Sequence, residues 1–205
     1  YNLGAHKLAD WLAGQGYTAT LSDGEPGLFT RDYNLVCLSV IFSWHTPLAR
    51  DIALRVKANA DVWCGGPGIT TLGKWWREQT GLDCTRGLDR RFEQQRGDYQ
   101  MTFASRGCGV GCSFCCVPLI EGRTYTLDWD FRPAPILCDN NLSALPVEFQ
   151  EHIIRCYQET GVRLLDAQNG LTAAIVNHAI AKLDFFTNID ILQVRPNGLW
   201  ELPPL

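Results

Sequence analysis

Apolar positions along this chain recur at two different periods, and the predicted elements follow them. Over Leu3 to Gly16, Leu8, Trp11 and Leu12 fall at helical spacing, and Gly14 and Gly16 offer a stop. Tyr17 to Leu21 then alternates as a short strand would. Asn34 to Phe42 (NLVCLSVIF) is an unbroken apolar run, the signature of a strand covered on both faces. Thr46 to Ala60 reads as a helix, with Thr46 as its N-cap and Pro47 at its first position. Asp61 to Cys64 is a short buried strand that ends in the turn Gly65-Gly66-Pro67-Gly68. A helix is predicted over Ile69 to Gln79 and an edge strand over Leu82 to Thr85.

The most charged stretch, Arg86 to Asp98, reads equally as a linker between domains or as a solvated helix face. Beyond it, strands are expected at Tyr99 to Ala104, Pro135 to Cys138, Val162 to Asp166 and Ile189 to Val194. Helices are expected at Pro146 to Thr160, where Phe149, Ile153, Ile154 and Tyr157 share one face, and at Leu171 to Leu183. Strands separated by helices imply βαβ units. The fold class expected is therefore α/β. Residues 1–95 would form a small, doubly wound parallel sheet, Rossmann-like with its first strand missing. Residues 96–205 would form part of a β/α barrel.

Composition narrows the function classes. Of 205 residues, 46% are hydrophobic and 20% charged, as in an ordinary globular protein. A net charge of -4 gives no global electrostatic case for nucleic acid. The longest apolar runs, such as Leu35 to Trp44, are far too short to span a bilayer. Nine cysteines is a high count, yet Cys37, Cys64, Cys138 and Cys156 lie scattered in apolar runs where a free thiol behaves as a small hydrophobe. A reducing cytoplasm and a single metal site fit this distribution better than a disulfide framework. The chain opens at Tyr1 in what reads as mid-fold, so a fragment of a longer protein is expected.

One tight group of cysteines remains. Arg106 to Cys115 (RGCGVGCSFC) contains C-x3-C-x2-C, formed by Cys108, Cys112 and Cys115, with glycines that allow the backbone to fold tightly. Thiolates suit iron–sulfur clusters and zinc alike. Structural zinc and electron-transfer clusters usually take four protein ligands, whereas three leave one iron open. Cys116 is the alternative fourth ligand, although adjacent residues in extended backbone point apart. With it, the loop would serve a non-catalytic iron–sulfur or zinc binding module. A zinc knuckle would want a His or a second Cys pair nearby, and the next candidates are distant.

The motif C-x3-C-x2-C, with the aromatic Phe114 before its last cysteine and a barrel-like first strand ahead of it, resembles that of the radical S-adenosylmethionine (radical SAM) superfamily. The resemblance implies a [4Fe–4S] cluster on Cys108, Cys112 and Cys115, with SAM chelating the open iron through its amino and carboxylate groups. It implies reductive cleavage of SAM to methionine and a 5′-deoxyadenosyl radical that takes hydrogen from a substrate, with Phe114 near the adenine. A reductase, flavodoxin or ferredoxin would donate the electron. In this superfamily a polar motif at the end of the second barrel strand binds the SAM amino group. The matching segment here is Cys138-Asp139-Asn140-Asn141, which departs from the common Gly-Gly-Glu form but offers the oxygen acceptors an ammonium needs. Asp139, Asn140 and Asn141 are carried over as SAM contacts, against the plainer reading of an Asn/Asp turn. Asp166 to Leu171 is similar to a later strand-end segment of such barrels, and it too could be a simple turn.

The first half adds a second likeness. A small doubly wound domain with a Gly-Gly-Pro turn ahead of the cysteine motif resembles the cobalamin-binding-type domain of the B12-dependent class. That leaves cobalamin open as a cofactor. The D-x-H-x-x-G sequence of base-off sites does not occur, and the loop that would carry it is expected before Tyr1, so its absence excludes nothing. His6 and His45 are poor substitutes, and the balance falls against bound cobalamin. The superfamily core has six β/α units where this chain shows three or four.

Overall fold

The computed structural model describes residues 1–22 and 33–166, together with the backbone strand at 189–191. The molecule is mixed α/β with small parallel sheets, and it divides into two compact units. One holds Tyr1–Gly97 and Gly111–Gly122, the other Asp98–Val110 and Arg123–Leu205. The excursion Gly111–Gly122 thus clusters with the first unit, although its sequence neighbours lie in the second.

In the first unit, helix α1 (Leu3–Gly14) starts at Asn2, whose side-chain oxygen accepts the Ala5 N–H at 3.1 Å. The same side chain donates to the Ser39 carbonyl at 2.9 Å, tying the helix start to the end of strand β1 (Leu35–Ser39). Strand β1 pairs in parallel with β2 (Asp61–Gly65), from Leu35↔Asp61 to Ser39↔Gly65, and helix α2 (Thr46–Val56) connects them. Helices α3 (Pro67–Thr71) and α4 (Gly73–Thr80) follow. Val40, Ala49, Ala53, Cys64, Ile69 and Trp76 form the core, with Ala53, Ile69 and Trp76 wholly buried.

Five details depart from the sequence expectations. The apolar run at Asn34 to Phe42 yields only five strand residues, all half-buried, and Ile41 and Phe42 are exposed. A 3-10 turn at Ser43–His45 leads straight into α2, so Thr46 is helical and buried instead of capping. The predicted third helix breaks at Leu72, where Gly73 is a poor helix former and the Thr71 hydroxyl donates back to the Pro67 carbonyl at 2.8 Å. Leu82 to Thr85 forms no strand. The Thr85 N–H does reach the Cys64 carbonyl, but the Thr70 hydroxyl takes the Thr85 carbonyl that a ladder would need. Tyr17 to Leu21 is likewise irregular and exposed.

The charged stretch carries a short helix, α5 (Arg90–Glu93), capped by Asp89. It docks on α1 through Lys7, whose ammonium is buried and donates to the Glu93 carbonyl at 2.7 Å. Arg91 pairs with Asp89 and lies 5.5 Å from the ring centre of Trp11 and 5.2 Å from that of Trp63.

In the second unit, strands β3 (Met101–Thr102), β6 (Ile136–Leu137), β7 (Leu164–Asp166) and β8 (Ile189–Ile191) form a parallel sheet in chain order. Strands β4 (Ser105–Arg106) and β5 (Thr126–Leu127) form a separate antiparallel pair. Helix α7 (Val147–Thr160) crosses from β6 to β7 and buries Phe149, Ile153, Ile154 and Tyr157 on one face, the face its periodicity predicts. Gly161, at φ 67°, closes the helix in the left-handed conformation. The core adds Ala104, Phe131, Leu137, Leu142, Leu145 and Leu164. The Tyr157 hydroxyl donates to the Ala134 carbonyl at 2.8 Å and fixes the helix to the approach of β6. The strand expected over Tyr99 to Ala104 is two residues long, because Ala104 and Ser105 turn to bond the β6 end. The expected helix at Leu171 to Leu183, and all of Asp166 to Leu171 beyond the β7 backbone, lie outside the described residues.

Candidate metal centre

The cysteine loop leaves from β4 and returns through β5. At its root, Gly107 has φ 83°, a backbone state that side chains resist. Gly111, at φ 67°, makes the second such bend just before Cys112. Between them Cys108 is buried, while Val110 points to solvent. The Cys112 carbonyl then accepts the Cys115 N–H at 3.0 Å, closing the C-x2-C half into one turn with a cysteine at each end. Cys112 is exposed and Cys115 half-buried. Phe114, on the turn between them, is 81% exposed. Cys116 is exposed too, and it precedes a short helix, α6 (Val117–Ile120).

Two of the three sulfurs have a hydrogen-bond donor in place. The Val117 N–H points at the Cys115 sulfur from 3.4 Å. The Tyr125 hydroxyl donates to the Cys108 sulfur at 3.7 Å. Hydrogen-bond donors of this kind orient and support a sulfur that ligates a metal. Desolvation raises the Tyr125 phenol above its ordinary value, and the neighbouring Cys108 adds to the shift, so the hydroxyl keeps its proton to donate. Tyr125 has no distinguishing mark in the sequence. Only the pairing of β4 with β5 reveals it.

The segment after β6 meets the stem of the same loop. Asp139 has no exposed surface, and its oxygens accept the Ala104 N–H at 2.7 Å and the Ser105 hydroxyl at 2.6 Å. Burial pushes its carboxyl up to about 6, against the opposing pull of these donors. Asn140 is half-buried and donates to the Gly107 carbonyl at 3.4 Å, one residue from Cys108. Asn141 accepts the Ser143 hydroxyl at 2.8 Å and faces its own turn. Asp139 thus ties the stem together, whereas Asn140 reaches the loop itself.

Cys108 falls in the second unit, and Cys112 and Cys115 in the first. Among the described residues no three His, Cys, Asp or Glu side chains are gathered into a metal-holding group. Ligation itself draws thiolates together, since metal binding and local folding are coupled. By type, number and sequence spacing the three thiols are donors of the kind a thiolate-bound cluster takes, and within its own unit each of Cys108 and Cys115 has one hydrogen-bond donor to its sulfur.

The other cysteines are of a different kind. All nine are free of disulfides. Burial pushes the Cys37 thiol to about 11 and the Cys64 thiol to about 12, with Cys84 adding to the latter, so both stay protonated and inert. Cys156 is also raised by burial.

No family model matches this chain, and no curated protein matches it significantly. Function therefore rests on the residues. Among the described residues no helix is long and apolar enough to cross a membrane.

Proposed function

We propose that this chain is a radical SAM enzyme, or the part of one, whose cluster is ligated by Cys108, Cys112 and Cys115. The observation that carries the reading is the loop's position. C-x3-C-x2-C follows β4, the short strand reached directly from β3, the first strand of a parallel sheet whose strands follow chain order, and the residues after that sheet's second strand bond to the loop's stem. Sheets of this kind place chemistry at the carboxyl ends of their strands. The chain-order sheet β3-β6-β7-β8 is what the opening of a β/α barrel requires, and the parallel β1–α2–β2 unit is what a cobalamin-binding-type domain requires.

When bound, the cluster supplies the electron that splits SAM into methionine and a 5′-deoxyadenosyl radical. The protein's own residues hold and orient. Cys108, Cys112 and Cys115 would hold the cluster, leaving it a site open to SAM. Asn140, next to the loop and only half-buried, offers a side-chain oxygen to the SAM ammonium, while Asp139 braces the stem beneath it. The exposed Phe114 ring is free to cover the adenine. The electron would come from a flavodoxin, a ferredoxin or a reductase in the cytoplasm.

Anaerobic reconstitution with iron and sulfide tests the reading. The expected result is four irons per chain, an EPR signal of the reduced cluster that SAM perturbs, and 5′-deoxyadenosine formation. Cys115→Ala should abolish all three. Full SAM cleavage by that variant sinks the assignment, and loss of the cluster in Cys116→Ala would point instead to a closed, four-cysteine site.

A further inference from the structure

The two sulfur hydrogen bonds differ in kind. The donor to Cys115 is the Val117 backbone N–H, which no substitution short of proline removes. The donor to Cys108 is a side chain, which evolution can adjust. Three features hold it in place. The β4–β5 ladder pairs Ser105 with Leu127 and Arg106 with Thr126, and the next step of that register sets Tyr125 across from Gly107, beside Cys108. The Tyr125 ring packs against the second unit's core together with Leu127, so its position follows from the hydrophobic cluster. The Gly109 backbone lies against the same ring, which stands 3.6 Å from where a Cβ on Gly109 would be, and the hydroxyl donates to the Cys108 sulfur 3.7 Å away.

We infer that Tyr125 is a positioning residue that tunes the reduction potential of the cluster through its hydrogen bond to the Cys108 sulfur, an inference that rests on the function proposed above. A proton shared with a ligating sulfur stabilises the more negative, reduced cluster and so raises its potential. Removing that proton makes the cluster harder to reduce and, once reduced, a stronger reductant.

Redox titration of the full reconstituted chain, followed by EPR, tests this. Tyr125→Phe keeps the ring and its packing. It should retain the iron and sulfide content and the SAM-perturbed signal, while the midpoint potential moves to more negative values. Replacing Tyr125 alone with 3-fluorotyrosine, a more acidic phenol and a better donor, should move it the opposite way. A merely structural tyrosine would leave the potential unchanged in both. Unchanged potentials with intact clusters overturn the role of Tyr125 and leave the cluster assignment standing. A wild-type chain that assembles no four-iron cluster overturns that assignment and this inference together.

Discussion

Ser105 donates its hydroxyl to Asp139 at 2.6 Å, and the carboxylate that receives it has no exposed surface. The Ala104 N–H donates to the other oxygen of the same carboxylate at 2.7 Å. Residues some thirty-five positions apart are joined where β3 passes into β4 and where β6 ends. A buried carboxylate is a costly tie unless its oxygens are satisfied. Here they are satisfied by the backbone and side chain that launch the cysteine loop.

That tie has a pH signature. Burial raises the Asp139 carboxyl from 3.8 to about 6, so the folded state holds its proton more tightly than the unfolded chain does. Its contribution to stability is then complete below about pH 4 and falls as pH rises through about 6. A shift of two units corresponds to about 3 kcal/mol. Asp139→Asn keeps an oxygen for the Ala104 N–H and lets the Ser105 hydroxyl turn to accept, without a titrating group. The stability of the wild type relative to this variant should therefore drop between pH 4 and pH 7. Urea unfolding of both proteins at pH 4, 5.5 and 7 measures it, and a difference that stays flat or grows with pH contradicts the assignment.

The turn after β2 allows a sharper contrast. Gly66 sits at φ 91°, and a Cβ there would lie 2.5 Å from the Val40 carbonyl oxygen and 2.8 Å from its nitrogen. Both atoms are backbone, and that carbonyl also accepts the Gly68 N–H, so nothing can move aside cheaply. Gly66→Ala should cost about 2–4 kcal/mol, combining strain with a steric clash. Gly14, at the end of α1, has open space around its Cβ direction. Gly14→Ala should be neutral or stabilising by up to about 1 kcal/mol. Thermal melts should show a clear loss of stability for Gly66→Ala and none for Gly14→Ala, and a Gly66→Ala protein as stable as the wild type would refute the close approach.

What the sequence made legible is local. Helix α7 announces itself because Phe149, Ile153, Ile154 and Tyr157 repeat at its own period, and the same four residues are buried. The β1–α2–β2 unit follows from two apolar runs and a proline. The helix break at Leu72 was hidden because a threonine hydroxyl bonding backward leaves no trace in periodicity. The charged stretch read equally as a linker or a solvated helix face because the partners that seat it are far away in sequence. Lys7 must find Glu93, and Arg91 must find Trp11 and Trp63, before its charges have a place. The same holds for the metal centre. Its cysteines could be picked out by spacing, but Tyr125 and the bracing role of Asp139 come from pairings between strands.

The cysteines themselves offer the most discriminating chemistry. Without metal, Cys112 and Cys116 are exposed, whereas Cys64 is buried with its thiol raised to about 12. Thiolates react and buried neutral thiols do not, so brief treatment with iodoacetamide at pH 7.5 should label Cys112 and Cys116 well ahead of Cys64. Peptide mass spectrometry reads each site separately. After anaerobic loading with iron and sulfide, the pattern should divide the two exposed residues. Cys112 should become protected along with Cys108 and Cys115, while Cys116 stays reactive. Protection of all four would mean that Cys116 completes the coordination and closes the position SAM needs. Continued labelling of Cys112 in a chain that has taken up four irons would mean that the cluster sits elsewhere.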